Sequence, residues 1–274
     1  MSHIIPIFDS LTHPTLDGNW ILPKYPGCAY IADMLDGMKK SNICGAFAVG
    51  MNGIGKYDED EYLSLIRKCG RGMLFPIAFF TILHENEKSI RQRLAEIKAK
   101  GYSGIKLHSR IGDFLLSDPL LPYAIDVANE LGLIVMLCTY FYSNCQSYAD
   151  NNIEKLGDML VRVNPASKVI LLHGGSVRLL EGMEIVRAFP NTLLDLSMTI
   201  CKYDGSSLDM DIQYVFRKFD RRVCVGTDYP EASHEQLRER FNLFAANTTI
   251  EKAENIAYKN ILSFAGISAN GLIQ

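Results

Sequence analysis

Short apolar runs alternate along this chain with longer segments whose apolar residues recur at helical spacing. Eight runs read as strands: Ile4 to Phe8, Ile43 to Val49, Met73 to Phe79, Gly104 to Leu107, Leu133 to Leu137, Val169 to Leu172, Thr192 to Leu196 and Val223 to Val225. Such alternation predicts βαβ units and a parallel sheet. Local signals agree with it. Asp58, with Glu61 three residues on, reads as a capping box at the start of the second helix. Asp118-Pro119 reads as N-cap and first-position proline of the fourth, which Gly132 stops. Thr249 opens an extra C-terminal helix that reaches Ala265 and carries Ile256, Ile261 and Phe264 near helical spacing.

Strict alternation of eight strands with helices fits either a closed (β/α)₈ barrel or a doubly wound open sheet. Eight units favour closure, and 274 residues are close to the roughly 250 usual for one barrel. The expected organisation is a single TIM-barrel domain over residues 1–274. An open nucleotide-binding sheet would carry a glycine-rich turn after its first strand, where this chain has Asp9-Ser10-Leu11-Thr12-His13-Pro14. The glycine-dense stretch Gly50 to Gly55 lacks phosphate-loop spacing, so a nucleotide cofactor is not expected.

In a barrel, reactive groups gather where strands end and βα loops begin. The polar residues in those places are Asp9 and His13 after the first strand, and Lys106 and His108 at the fourth. Cys138, Thr139 and Tyr140 follow the fifth, His173-Gly174-Gly175 the sixth, and Asp228-Tyr229-Pro230 the eighth. Lys106 and His108 share strand parity, so both side chains can face the barrel axis. His3 and His234 read as surface residues, and Asp58 to Glu61 as a solvated helix start. Tyr140-Phe141-Tyr142, Tyr148, Trp20, Tyr25 and Tyr203 sit in the same loops and give either an aromatic rim for a small ligand or simple loop packing.

Charge and cysteine usage narrow the partners. A net charge of −3 supplies no basic field for nucleic acid or anionic lipid. No stretch approaches about 18 uninterrupted apolar residues, and the opening MSHIIPIFDS lacks the regions of a signal peptide. A cytoplasmic protein acting on a small molecule is expected, either as a single chain or as a homo-oligomer. Cys28, Cys44, Cys69, Cys138, Cys145, Cys201 and Cys224 are odd in number and form no CxxC pair, which argues for reduced thiols rather than disulfides or a zinc ribbon.

Five of these motifs, in this order, resemble the amidohydrolase superfamily, in the branch that includes aminocarboxymuconate semialdehyde decarboxylase and pyrone dicarboxylate lactonase. They are Asp9-Ser10-Leu11-Thr12-His13, Gly104-Ile105-Lys106-Leu107-His108, Cys138, His173-Gly174-Gly175 and Gly226-Thr227-Asp228-Tyr229-Pro230. The closing helix with Lys259-Asn260-Ile261-Leu262 is similar as well. The resemblance implies a TIM barrel with a metal held by two histidines of the first motif, a strand-five histidine and the strand-eight aspartate. Here Leu11 and Cys138 stand in two of those places, and leucine offers no lone pair.

His13, Cys138 and Asp228 could still form a three-ligand zinc site with water in the fourth position, although Cys138 reads rather as a buried packing residue. The expectation is no tightly bound cofactor, with one zinc ion as the alternative. The resemblance further implies a hydrolase of a small anionic carbonyl compound, with Asp228 as general base and His173 and His108 as hydrogen-bond donors to the carbonyl oxygen. Lys106, Arg110 and Tyr140 would contact the substrate, with Lys202 a further positive charge. A nonoxidative decarboxylase or hydratase and a catalytically silent ligand-binding barrel are the alternatives.

Overall fold

The computed structural model describes residues 4–21, 27–142 and 148–273. Its strands are β1 (Ile7–Thr12), β2 (Ile43–Val49), β3 (Leu74–Phe80), β4 (Gly104–Leu107), β5 (Ile134–Cys138), β6 (Val169–Leu172), β7 (Thr192–Asp195) and β8 (Val223–Cys224). They form one parallel sheet in sequence order, with helices between successive strands, the expected (β/α)₈ barrel. Helices cover the outer face and side chains fill the inner one, so each strand must be apolar on both faces. That is why the strands appear in the sequence as continuous apolar runs.

The chain packs as two compact units, Met1–Pro76 with Asp195–Gln274, and Ile77–Leu194. In the first, an aromatic cluster joins the opening strands: Phe8 on β1 meets Phe47 on β2 edge-on at 5.1 Å and Phe75 on β3 at 5.8 Å. The helices Ile31–Lys40 and His234–Ala245 bury Met34, Met38, Leu237, Phe241 and Phe244. At the β1–β8 edge, Ser10 N donates to Val225 O at 3.1 Å, Asp228 N to Leu11 O at 2.9 Å and His13 N to Tyr229 O at 2.8 Å. In the second unit, Ile105, Leu107, Val135, Met136, Leu137 and Ile170 form the strand core. Helix Glu87–Lys100 covers it with Ile90, Leu94 and Ile97, and Leu120–Glu130 with Leu121, Ile125 and Ala128. Each such aliphatic side chain contributes about 1.5–3 kcal/mol on burial.

Strand boundaries differ from expectation mainly at β1, which starts at Ile7 and continues through Thr12. Asp9, Ser10 and Leu11 are therefore inside the strand and buried, not in the loop after it. The caps largely hold. Asp58 accepts from Asp60 N and Glu61 N, Thr249 accepts from Lys252 N, and Asp118 accepts from Leu120 N, so that helix begins one residue after the proline. Gly132, at φ +68°, takes the left-handed turn that ends the segment. The C-terminal helix widens to a π-type turn at Asn255–Lys259 before closing as Asn260–Ala265. Among the described residues no helix is long and apolar enough to cross a membrane.

Helix Leu179–Ala188 approaches the turn after β6 through Gly182. A Cβ there would lie 2.4 Å from Gly174 O. Because that atom is backbone and has little room to yield, Gly182→Ala should destabilise the protein by about 1–3 kcal/mol. The denaturant midpoint measures this, and an unchanged midpoint would contradict the close approach.

Candidate active site

In the first unit, three buried carboxylates lie on β1, β7 and the loop after β8. Asp9 is fully buried. Its Oδ1 accepts from Leu11 N at 3.1 Å and Thr227 N at 3.0 Å, and its Oδ2 from Thr227 Oγ1 at 2.7 Å. His234 Nε2 lies 3.3 Å from Asp9 Oδ2, at ion-pair distance but without hydrogen-bond alignment. Gly226 makes this possible, since a Cβ there would fall 2.8 Å from Asp9 Oδ1. Asp195 accepts from Ser10 Oγ, from Ser197 Oγ and from Ser197 N at 3.0 Å. It also sits 3.6 Å from Cys224 Sγ, and with burial its charge pushes that thiol well above the ordinary range.

The third carboxylate is Asp228, whose Oδ1 is 3.3 Å from His13 Nε2. His13 Nδ1 lies 2.9 Å from Val49 O. A carbonyl only accepts, so Nδ1 carries a proton and Nε2 is the nitrogen that faces the carboxylate. The imidazole stacks on Trp20 at 4.9 Å, and Trp20 Nε1 donates to Glu231 Oε1 at 2.8 Å. Its ring, backbone bond and carboxylate contact together fix His13 in one orientation.

The second unit gathers a different set at the ends of β4, β5 and β6. Lys106 lies within β4 and is buried, and His108 follows as the cap of the short helix Ser109–Gly112. His108 Nδ1 accepts from Ile111 N at 3.2 Å. Arg110 Nη2 lies 3.4 Å from His108 Nε2 and 4.0 Å from Cys138 Sγ. Cys138 ends β5 and its sulfur is hydrogen-bonded by the imidazoles of both His108 and His173. The Arg110 guanidinium sits over the Tyr140 ring at 5.1 Å, and that ring meets His173 edge-on at 6.3 Å.

Charge balance in this cluster is set by burial and neighbours. Burial holds His108 below its usual value; the Cys138 sulfur opposes that, and the charges of Lys106 and Arg110 add to it. For Cys138, burial acts to raise the thiol, but the charge and hydrogen bond of His108, followed by those of His173, outweigh it and bring the thiol well below the ordinary cysteine range.

Backbone strain marks the same regions. His173, Gly174, Gly175 and Ser176 all have positive φ, and Gly175 N is tied to Thr139 Oγ1 at 2.9 Å. Met198 and Asp228 adopt positive φ after β7 and β8. Non-glycine residues held in this region cost roughly 1–3 kcal/mol each and concentrate at functional sites.

The structure thus joins Lys106, His108, Arg110, Cys138, Tyr140 and His173 in one cluster and His13 with Asp228 in another. His234, expected on the surface, is buried: it stacks on Tyr229 at 5.6 Å and leaves no room for a Cβ at Gly37. Its polar sequence neighbours Ser233 and Glu235 concealed this. Asp195 went unremarked, although an aspartate within an apolar run and two residues before Ser197 is a signal for it. Of the aromatic residues, Trp20 stacks on His13, Tyr203 accompanies Lys202 at 5.8 Å, and Phe141 is buried, while Tyr142 and Tyr148 are exposed. Tyr25, Cys145 and His3 fall outside the described residues. The described cysteines are thiols, with no disulfide among them.

The donor set does not fit a metal centre. Leu11 is fully buried without a donor atom, and among the described residues no group of three or more His, Cys, Asp and Glu side chains could hold an ion.

Titratable groups gather at the C-terminal ends of the parallel barrel strands, where enzymes built on this fold carry their sites. The amidohydrolase family profile matches residues 45–262, and the chain belongs to that family, whose members act as hydrolases or decarboxylases. No curated protein sequence matches it. Among solved structures it is similar to an uncharacterised TIM-barrel protein from Bordetella bronchiseptica, with 18% identity, TM-score 0.79 and coverage of 95% of this chain and 99% of that one. A probable 2-pyrone-4,6-dicarboxylic acid hydrolase from Acinetobacter baumannii, solved with citric acid bound, matches at 15% identity and TM-score 0.69, with the same coverages. The 5-carboxyvanillate decarboxylase from Sphingomonas paucimobilis matches at 12% identity and TM-score 0.65, covering 96% and 100%.

Removing Asp9 would orphan two buried N–H donors and a hydroxyl, so Asp9→Ala should cost at least about 3 kcal/mol. Denaturation measures the loss, and a change below about 1 kcal/mol would show that the carboxylate holds nothing essential.

Proposed function

We propose that this protein hydrolyses a small anionic carbonyl compound, a lactone, ester or amide. The observation that carries the reading is the cluster of Lys106, His108, Arg110 and His173 around Cys138, where a lysine, a guanidinium and two imidazoles share a largely buried environment. Positive charge there is weakly screened, so it attracts a carboxylate, and fixed N–H donors stabilise an oxyanion more strongly than water does. Arg110 and Tyr140 are partly exposed and are assigned to substrate contact. Two similar structures are described as acting on carboxylated compounds, 2-pyrone-4,6-dicarboxylic acid and 5-carboxyvanillate, which agrees with an anionic substrate.

Within this reading Asp228 is the general base, oriented by His13, and it takes a proton from water. His108 and His173 donate to the carbonyl oxygen as charge develops there. The work is done on a small molecule in the cytoplasm, where thiols stay reduced, without nucleic acid or membrane. A decarboxylase is the second reading, supported by the likeness to the 5-carboxyvanillate enzyme.

Asp228→Asn keeps the side-chain shape but cannot accept a proton, so turnover should fall by at least about 100-fold with stability changed by less than about 1 kcal/mol. Screening lactones, esters and carboxylated aromatics provides the assay, with carbon dioxide release separating the second reading. Full activity in the variant would move the base elsewhere. Elemental analysis of protein purified without chelator should show well under one zinc per chain; near-stoichiometric zinc lost on Cys138→Ser would restore a metal-activated water.

A further inference from the structure

We propose that two copies of this chain associate through the outer face of helices Leu208–Lys218 and His234–Ala245, with the first helix lying antiparallel to its counterpart across a twofold axis. The inference is independent of the chemistry assigned to the strand ends.

The two helices belong to the first unit, and an open groove of about 470 Å³ lies between them, with the buried ring of Phe244 in its lining. Its walls carry Met210, Tyr214 and Leu243, which are 78%, 47% and 53% exposed. Met210 and Tyr214 are four residues apart on one helix, so they form a single stripe. A lone exposed apolar side chain is ordinary. Three large ones gathered in one groove make a patch of the kind that marks contact with another molecule.

The polar groups at the groove already have partners within the chain. Gln213, the amide between Met210 and Tyr214, donates through Nε2 to Phe244 O at 3.1 Å, and its Oε1 accepts from Asn247 Nδ2 at 3.1 Å. Asp209 accepts from the Arg240 guanidinium and from Gly205 N at 3.0 Å. Covering the groove therefore costs little in lost hydrogen bonds to water. The same pairing leaves these groups little to offer a small polar ligand, and an apolar protein face is the better match.

The charge pattern selects the partner. Asp209 and Asp211 stand in the first turn of helix Leu208–Lys218, and the exposed Arg217 and Lys218 in its last. Asp204, just before the helix, adds a largely exposed carboxylate, and Arg240, which pairs with Asp204 and Asp209, supplies one positive charge against three negative ones. One end is thus acidic and the other basic. Antiparallel pairing sets each end against its opposite and aligns the two helix dipoles favourably. A twofold contact requires a patch that is complementary to itself, and this one is. Its centre brings Met210 of one copy to Tyr214 of the other, and the reverse, so a sulfur–aromatic contact is made twice. At 1.5 Å per residue the two helices are about 17 and 18 Å long, so a patch across both stays below the roughly 800 Å² per partner of stable interfaces. The dimer is accordingly a reversible one of micromolar strength.

Sedimentation of the full chain between about 1 and 200 µM tests this, and the mass should rise from one chain toward two across that range. Met210→Asp and Tyr214→Asp, both at exposed positions, should each raise the midpoint concentration by at least about tenfold. Unchanged circular dichroism and thermal midpoint show that the variants are folded. Arg217→Glu with Lys218→Glu makes both ends acidic, and Asp204→Lys with Asp211→Lys makes both basic. Each of these chains should dimerise at least about tenfold more weakly, while an equimolar mixture of the two should pair, because acidic ends then meet basic ones. A chain still monomeric at about 200 µM overturns the proposal and leaves the groove to a different partner. A dimer indifferent to Met210→Asp and Tyr214→Asp overturns it as well, since the contact then lies elsewhere. Failure of the two charge-reversed chains to pair with each other would remove the antiparallel twofold arrangement.

Discussion

The first unit depends on one buried carboxylate. Asp9 sits in the interior of β1 with no access to water, and it is tolerated there because the backbone N–H groups of Leu11 and Thr227 and the Thr227 hydroxyl converge on it. Those bonds tie β1 to the segment after β8. The strand edge that would otherwise remain open is joined by side chain as well as by ladder, and Gly226 is small because the carboxylate lies against it. His13 and Asp228 follow directly on the two segments so joined. An ordinary loop could not hold a histidine and an aspartate at 3.3 Å with comparable certainty, since both would have rotamer freedom to lose.

In the second unit the constraint is the charge on a single sulfur. Cys138 terminates an apolar strand, where a neutral thiol would pack without further support. Instead the strand ends on both sides of it, β4 and β6, deliver imidazoles, and β4 also supplies the cations Lys106 and Arg110 by way of His108. Burial alone would raise the thiol, and the two imidazoles outweigh it. Where metal-bearing relatives would be expected to place an imidazole after strand five, this chain has a buried thiol set between the imidazoles of His108 and His173.

The fold was legible in the sequence because doubly buried strands leave continuous apolar runs, and because caps such as Asp58 and Thr249 use side chains that bond to backbone within three residues. The strand-end residues were legible for the same reason: polarity at the end of an apolar run is conspicuous. What escaped were partnerships over long sequence distances. Nothing near Asp9 announces Thr227, nothing near Ser10 announces Asp195, and His234 starts a polar helix yet faces a buried carboxylate. Cys138 was visible as a substitution, but the imidazoles beside it, His108 and His173, come from two other strand ends.

The ionisation state of Cys138 tests the account most directly. The ultraviolet absorbance of a thiolate, taken as the difference between the native protein and Cys138→Ser through an acid titration, reports it without a substrate. A thiolate band that persists to clearly lower pH than that of an ordinary cysteine is the predicted result, with His108 and His173 as its cause. A band that appears only as the pH passes about 8.5 would show an ordinary thiol and contradict the charge assignment on which the second cluster is built.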